Sequence, residues 1–304
     1  MNFGMLTGPP FPSDGDAMIA VPLITVVLLA AHADTHTLKW KLNEGDVFYN
    51  KTTVSMKQTI EVMGQSIDQK MSIMTVLRFK VKSVKRGSTV VEMTYLKNEI
   101  DAQGLPGVNP VNNLKDVSFT ATLNDKLEVT KLEGYDKFLE ALGAGNEELG
   151  GLMKAMMPET AIQQMFGQTF VIGPPKPIAV GDQWDRTMKL AMGPLGSVKT
   201  KEVMKLESVK GDTATIGVKG ELSFTPGEGN GGLPFKITKA ELTADKFEGT
   251  HRFNMTLGRL VESKVTMDMS GTMTVSAAGQ EIDAKLKQET TTVSVITDKN
   301  PVID

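Results

Sequence analysis

Val54-Ser55-Met56-Lys57-Gln58-Thr59-Ile60-Glu61-Val62 changes side-chain character at almost every step. Val54, Met56, Ile60 and Val62 face one way; Ser55, Lys57, Thr59 and Glu61 face the other. Successive side chains of a strand point to opposite faces, so this spacing predicts a half-buried β-strand. After a break at Gly64-Gln65 the pattern resumes through Ile67, Met71, Ile73, Leu77, Phe79 and Val81. Thr, Val and Ile are abundant, as strands prefer, and Gly falls at hairpin distances.

The same order of signals occurs twice. Gly45-Asp46-Val47-Phe48 matches Gly181-Asp182-Gln183-Trp184, and Met63-Gly64 matches Met192-Gly193. Ser83-Val84-Lys85 with Gly87 matches Ser208-Val209-Lys210 with Gly211. Phe119 and Leu123, with Leu127 and Lys131 beyond, match Phe253 and Leu257, with Leu260 and Lys264 beyond. An ordered series of matches predicts two copies of one β-meander. A final hairpin follows, with Met267, Met269, Met273 and Val275 alternating, a turn at Ala278-Gly279-Gln280, and Ile282, Ala284 and Leu286 leading into a last strand.

Between the copies the period changes. Tyr135, Phe138, Leu139 and Leu142 fit one helical face, and Leu149, Leu152, Met153, Met156 and Met157 fit another, with Asn146 placed to cap it. Ile162, Met165 and Phe166 form a third short turn after Pro158. Gly173-Pro174-Pro175-Lys176-Pro177 reads as an extended linker. The expected fold is mainly β (β-rich α+β): a duplicated antiparallel β-meander, with short helices between the two copies covering the sheet. The segments are 1–33, a signal peptide; 34–133, the first repeat; 134–174, helices and linker; and 175–304, the second repeat with its C-terminal hairpin.

The leader rests on the apolar run Met18 to Ala31, shorter than the ~20 residues needed to span a bilayer. Ala31-His32-Ala33 is a small-x-small pattern that predicts cleavage before Asp34. No Lys or Arg precedes the run, and Pro9, Pro10 and Pro12 sit upstream, which points to a true start at Met18 with residues 1–17 misassigned. The expectation is an extracytoplasmic protein, periplasmic or secreted, with no transmembrane span in the mature chain; the alternative is an uncleaved N-terminal anchor.

The chain of 304 residues is 40% apolar and 23% charged, so a sizeable core is affordable. Its formal charge of −3 includes Asp14 and Asp16 of the leader and gives no electrostatic case for nucleic acid. With no cysteine, disulfides, thiol catalysis and thiolate metal sites are excluded.

No motif identifies a reaction. Asp46 and Asp182 mark equivalent corners rather than a converging carboxylate pair. The three histidines are His32, His36 and His251, so an imidazole-rich metal site is excluded by count. No Gly-x-Ser-x-Gly elbow accompanies His251. The glycine-rich stretch Gly227 to Gly232 lacks the Lys-Ser/Thr of a phosphate loop and reads as a hairpin loop. Met is abundant at 19 residues and fits amphipathic periods, the spacing of core packing or of an adaptable apolar surface. No catalytic residue, metal site or cofactor is singled out.

The Gly-Asp-x-aromatic strand starts, the Gly-Gln hairpins at Gly64-Gln65 and Gly279-Gln280, and the export leader resemble an uncharacterised family of exported bacterial β-rich proteins of the planctomycete type. The resemblance covers about residues 38–298 and implies no activity or site. By architecture alone, a curved sheet with covering helices is similar to periplasmic lipoprotein-carrier folds. The leading functional expectation is a non-enzymatic cell-envelope protein carrying a lipid or other apolar ligand, or an envelope partner, between sheet and helices. The candidate groove residues are Leu149, Leu152, Met153, Met156 and Met157. The alternatives are a structural or interaction protein with no ligand and, behind it, a carboxylate-only hydrolase.

Overall fold

The computed structural model describes residues 34–104, 114–143, 147–229, 233–277 and 279–302, without the side chains of 147–149 and 152. The leader, Asn146 and Ala278 lie outside the described residues. A two-stranded ribbon joins β1 (Thr35–His36) to β7 (Ile178–Ala179). Everything else hangs on one eleven-stranded antiparallel sheet.

The first run contributes β2 (Val47–Val62), β3 (Gln65–Lys85), β4 (Ser88–Gln103), β5 (Ser118–Leu123) and β6 (Val129–Glu133). Three helices follow: α1 (Tyr135–Gly143), α2 (Glu147–Met156) and α3 (Glu159–Phe170). The second run contributes β8 (Gln183–Ala191), β9 (Gly196–Lys210), β10 (Thr213–Pro226), β11 (Phe235–Asn254) and β12 (Arg259–Ala277), and β13 (Gln280–Thr297) is the last strand among the described residues. The order across the sheet is β6-β5-β4-β3-β2-β13-β12-β11-β10-β9-β8. The last strand pairs with the first long one, from Ala284 opposite Val62 to Thr297 opposite Tyr49, and so joins the two runs.

The two Gly-Asp corners have the same hydrogen bonding. Gly45 N donates to Val81 O at 2.9 Å and Gly181 N to Leu206 O at 2.7 Å. Asp46 Oδ2 accepts from Asn43 N at 2.8 Å, and Asp182 Oδ2 from Ala179 N at 2.9 Å. Both glycines have positive φ, +90° and +101°, with open space where a Cβ would stand, so backbone conformation rather than crowding selects glycine. The bulges correspond too: the β3–β4 register skips Lys82 and the β9–β10 register skips Glu207. One proposed match differs: Leu123 is fully buried, whereas Leu257 lies in the β11–β12 turn at 45% exposure.

The core fills one end of the sheet. Phe48 stacks on Phe79 at 5.0 Å, and Trp40 meets Phe170 edge-on at 5.3 Å. Phe119 packs against Phe138 of α1 at 5.1 Å and Phe166 of α3 at 5.0 Å. The third helix is longer than the short turn expected: Ile162, Phe166 and Phe170 form its buried stripe, and Met165 is exposed.

Helix α3 packs against both edge strands, β6 and β8. Eleven strands laid flat at ~4.8 Å spacing would place those edges roughly 50 Å apart. One helix of ~10 Å diameter reaches both, so the sheet is rolled. It stays open, because β6 and β8 do not hydrogen-bond to each other.

Candidate ligand-binding face

Cross-strand partners share a face of the sheet, and the register lines up the inward residues in rows. The row nearest the aromatic core is polar: His251, Ser263, Ser294, Thr52, Thr75 and Asn98. The next is Gly249, Val265, Thr292, Val54 and Ile73. Then come Phe247, Met267, Thr290, Met56 and Met71; Ala244, Met269, Gln288, Gln58 and Gln69; and Leu242, Gly271, Leu286, Ile60 and Ile67. On these central strands none of the rows contains Lys, Arg, Asp or Glu; past β11 the Phe247 row continues across Gly220 to the paired Glu202 and Arg186. The opposite face is charged, as in the row Lys246, Asp268, Glu289, Lys57 and Lys70.

Met56, Met71, Met267 and Met269 are half-buried and stand outside the core cluster formed among the described residues. The cluster that includes the helices covers one end of the strands, and beyond it the central strands continue as an uncharged trough of Val, Met, Ile and Leu, interrupted by Thr292, Thr290 and the row of Gln58, Gln69 and Gln288. Strand lengths explain this: β3 and β11 run 21 and 20 residues, some 65–70 Å at ~3.3 Å per residue, whereas α1–α3 are only 9–12 residues long.

The polar row is paired within itself. His251 Nδ1 and Ser263 Oγ are 2.9 Å apart, as are Thr52 Oγ1 and Ser294 Oγ, and Thr75 Oγ1 donates to Asn98 Oδ1 at 2.9 Å. His251 is 4% exposed, and its Nε2 has no partner among the described residues. Burial, together with the charge of Arg186, pushes the imidazole down to about 4, so it is neutral at pH 7. Arg186 is itself engaged: Nε donates to Glu202 Oε2 at 2.8 Å and NH1 to Val171 O at 3.0 Å.

The groove residues expected from the sequence lie on α2 and in the turn that follows it. Met153 and Met157 are partly buried against the core, and Met157 O accepts from Tyr135 Oη at 2.8 Å. Met156 is half-buried; the side chains of Leu149 and Leu152 lie outside the described residues. A groove of about 500 Å³ runs along the seam between α3 and β8, bordered by Val129, Gln164, Gly167 and Met188. A second, of about 920 Å³, lies on the charged face among Lys205, Lys219, Glu248 and Lys264. Neither is bordered by Met153, Met156 or Met157. The alternation of Val54 to Val62 and of Met267 to Val275 was visible in the sequence, and so was the lack of charge on that phase. What covers those residues was not.

Among the described residues, no cluster of three or more His, Asp or Glu is placed to hold a metal ion, and no helix is long and apolar enough to cross a membrane.

Fold and site together define a mainly β protein built on one open, rolled antiparallel sheet whose central strands carry uncharged inner rows beyond the aromatic core. By sequence, residues 68–278 match the family of unknown function DUF6263, and the chain belongs to that family. No curated protein matches it. Among solved structures it is similar to Rv2717c from M. tuberculosis, at 11% identity over 79% of this chain and 89% of that one, with a TM-score of 0.20. It is also similar to the outer membrane protein OprG from Pseudomonas aeruginosa, at 7% identity over 86% and 99%, TM-score 0.24. A third is the COG4313 outer membrane channel from Pseudomonas putida F1, at 8% identity over 85% and 97%, TM-score 0.23. Likeness at these scores carries no argument about function.

Proposed function

We propose that this protein is a non-enzymatic, exported binding protein that carries an apolar ligand in the trough beyond its helices. The observation that carries the reading is the set of uncharged inner rows of β3, β2, β13, β12 and β11 beyond the aromatic core, set against a charged outer face on the same strands. Leaving Met56, Met71, Met267 and Met269 half-exposed forgoes about 25 cal/mol for each Å² of apolar surface left in water. An apolar ligand recovers that energy on binding, and Met adapts its shape to such a ligand. Export is supported by the apolar run Met18 to Ala31 and the Ala31-His32-Ala33 pattern after it.

Native mass spectrometry of the protein purified from the envelope of its host tests this reading. The expected result is a bound species of lipid mass, reduced in Met56→Asp and retained in the outer-face variant Lys57→Asp. Ligand-free protein from that source would leave the structural or interaction role in its place.

A further inference from the structure

The edge strand β8 pairs on one side only, with β9. Leu206 N donates to Asp182 O at 3.0 Å, and Met192 N to Gly196 O at 2.8 Å. Both bonds continue the β8–β9 register, in which Gln183 stands opposite Lys205 and Ala191 opposite Ser197. Along an antiparallel strand, residues alternate between bonding to the partner strand and facing away from it. The even-numbered residues of β8 therefore bond to β9, and Gln183, Asp185, Thr187 and Lys189 aim their N–H and C=O groups off the sheet. Among the described residues, those groups of Thr187 and Lys189 have no partner. An edge of this kind is a template for another strand.

Helix α3 supplies the facing wall. Thr160, Gln163, Gln164, Gly167 and Gln168 recur at helical spacing and border the groove of about 500 Å³ along β8. A glutamine amide carries donors and an acceptor, as a peptide unit does. Gln163 Nε2 donates to Glu159 Oε1 at 3.2 Å, and Gln164 and Gln168 are left for a ligand. Val129, Val171 and Met188 add apolar surface, and Gly167 brings no side chain into the groove. The charges favour neither sign: Arg186 is held by Glu202 and Val171 O, and Glu128 and Lys189 offset each other.

We propose that this groove binds an extended peptide segment of a partner protein, uncharged and apolar at alternate positions, which adds to the edge of β8 as a further strand. The site is separate from the inner trough and stands whether or not the trough carries a lipid. A strand residue in a packed sheet occupies ~160 Å³ at ~3.3 Å rise, ~4.8 Å strand spacing and ~10 Å layer spacing, so the groove holds about three. The occupant is a lone segment. A second copy of this chain would bring its own α3 to the place where α3 already walls the groove. Main-chain hydrogen bonds to Thr187 and Lys189 supply affinity, and the alternate side chains meet Val129 and Met188.

The test is fluorescence anisotropy of a labelled, end-capped Lys-Thr-Val-Thr-Val-Thr-Lys peptide with the full chain, together with hydrogen exchange of the complex. The expected result is saturable binding with slowed exchange at the Thr187 and Lys189 amides. Proline in place of the central Thr of the peptide weakens binding about 10-fold, as lost main-chain bonds and the bulk of the ring require. Thr187→Pro weakens it to the same degree. An edge strand tolerates Pro where the N–H faces outward, and an unchanged urea-unfolding midpoint checks that the variant folds. Gly167→Leu, whose Cβ would meet Val129 Cγ2 at an ordinary 3.7 Å, fills the groove and also weakens binding. Lys57→Gln, away from β8, keeps the wild-type affinity. Absent or unsaturable binding, equal binding of the proline peptide, full affinity in both Thr187→Pro and Gly167→Leu, or protection confined to the strands of the inner trough overturns the proposal. Protection of Thr187 and Lys189 that rises with protein concentration without peptide assigns the edge to a second copy and overturns it as well.

Discussion

His251 makes stability depend on pH in a window set by its burial. The side chain is 4% exposed, and its pKa is pushed from 6.5 down to about 4. The folded state therefore prefers the neutral ring. Above pH 6.5 neither state is protonated there, and the group's contribution is fully present. Between pH 6.5 and 4 the unfolded chain takes up a proton that the folded chain refuses, and stability falls. Each unit of pKa difference is worth ~1.36 kcal/mol, so this one group withdraws about 3 kcal/mol by pH 4, and little more below it. Carboxylates titrate over the lower part of the same range, so the informative quantity is the difference between wild type and His251→Gln, which keeps a hydrogen-bonding group beside Ser263 but does not titrate. Urea unfolding at pH 8, 6.5, 5 and 4 measures it. The wild type should lose about 2 kcal/mol more than the variant by pH 5 and about 3 by pH 4. Parallel curves for the two proteins would refute the buried, neutral assignment of this histidine.

Other substitutions test the frame around the trough. Phe79→Ala removes the ring stacked on Phe48 and edge-on to Phe170, and should cost ~3–5 kcal/mol in urea unfolding, typical of an aromatic lost from a core. Gly181→Ala forces a Cβ onto a residue at φ +101° and should cost ~1–2 kcal/mol, with Gly45→Ala behaving alike because the two corners are equivalent. Arg186→Met strands the buried Glu202 carboxylate, whose side chain is 4% exposed, and should cost ~3–5 kcal/mol; Arg186→Met/Glu202→Leu should recover much of that loss, as a double-mutant cycle will show.

Much of this fold was legible in the sequence because period-two patterning is local. Val54 to Val62 and Ile67 to Val81 announce their strands without any partner in view, and the matched Gly-Asp corners announce the repeat. The joining of β13 to β2 was not legible. It depends on backbone pairing between residues far apart in the chain, and neither strand carries a signal naming the other. Helix α3 is longer than the turn of Ile162, Met165 and Phe166 expected after Pro158: it runs to Phe170, whose ring is buried in the core. The candidate site shows the same limit. Met153, Met156 and Met157 and the later Met267 and Met269 look alike in one dimension. Only the packing places Met153 and Met157 against the core and leaves Met267 and Met269 half-buried outside the core cluster of the described residues. Periodicity tells which residues share a face, and the reach of the helices decides what that face meets.

An apolar ligand carried by this protein lies in the trough of β2, β12 and β13 under the proposed function. Photocrosslinking the full chain with an acyl chain bearing a terminal diazirine, followed by peptide mapping, tests it most directly. Adducts are expected on inner-face residues such as Met56, Met267 and Met269, lost when the unlabelled lipid is in excess. Adducts confined to α2, to the seam between α3 and β8, or to the charged outer face would contradict it.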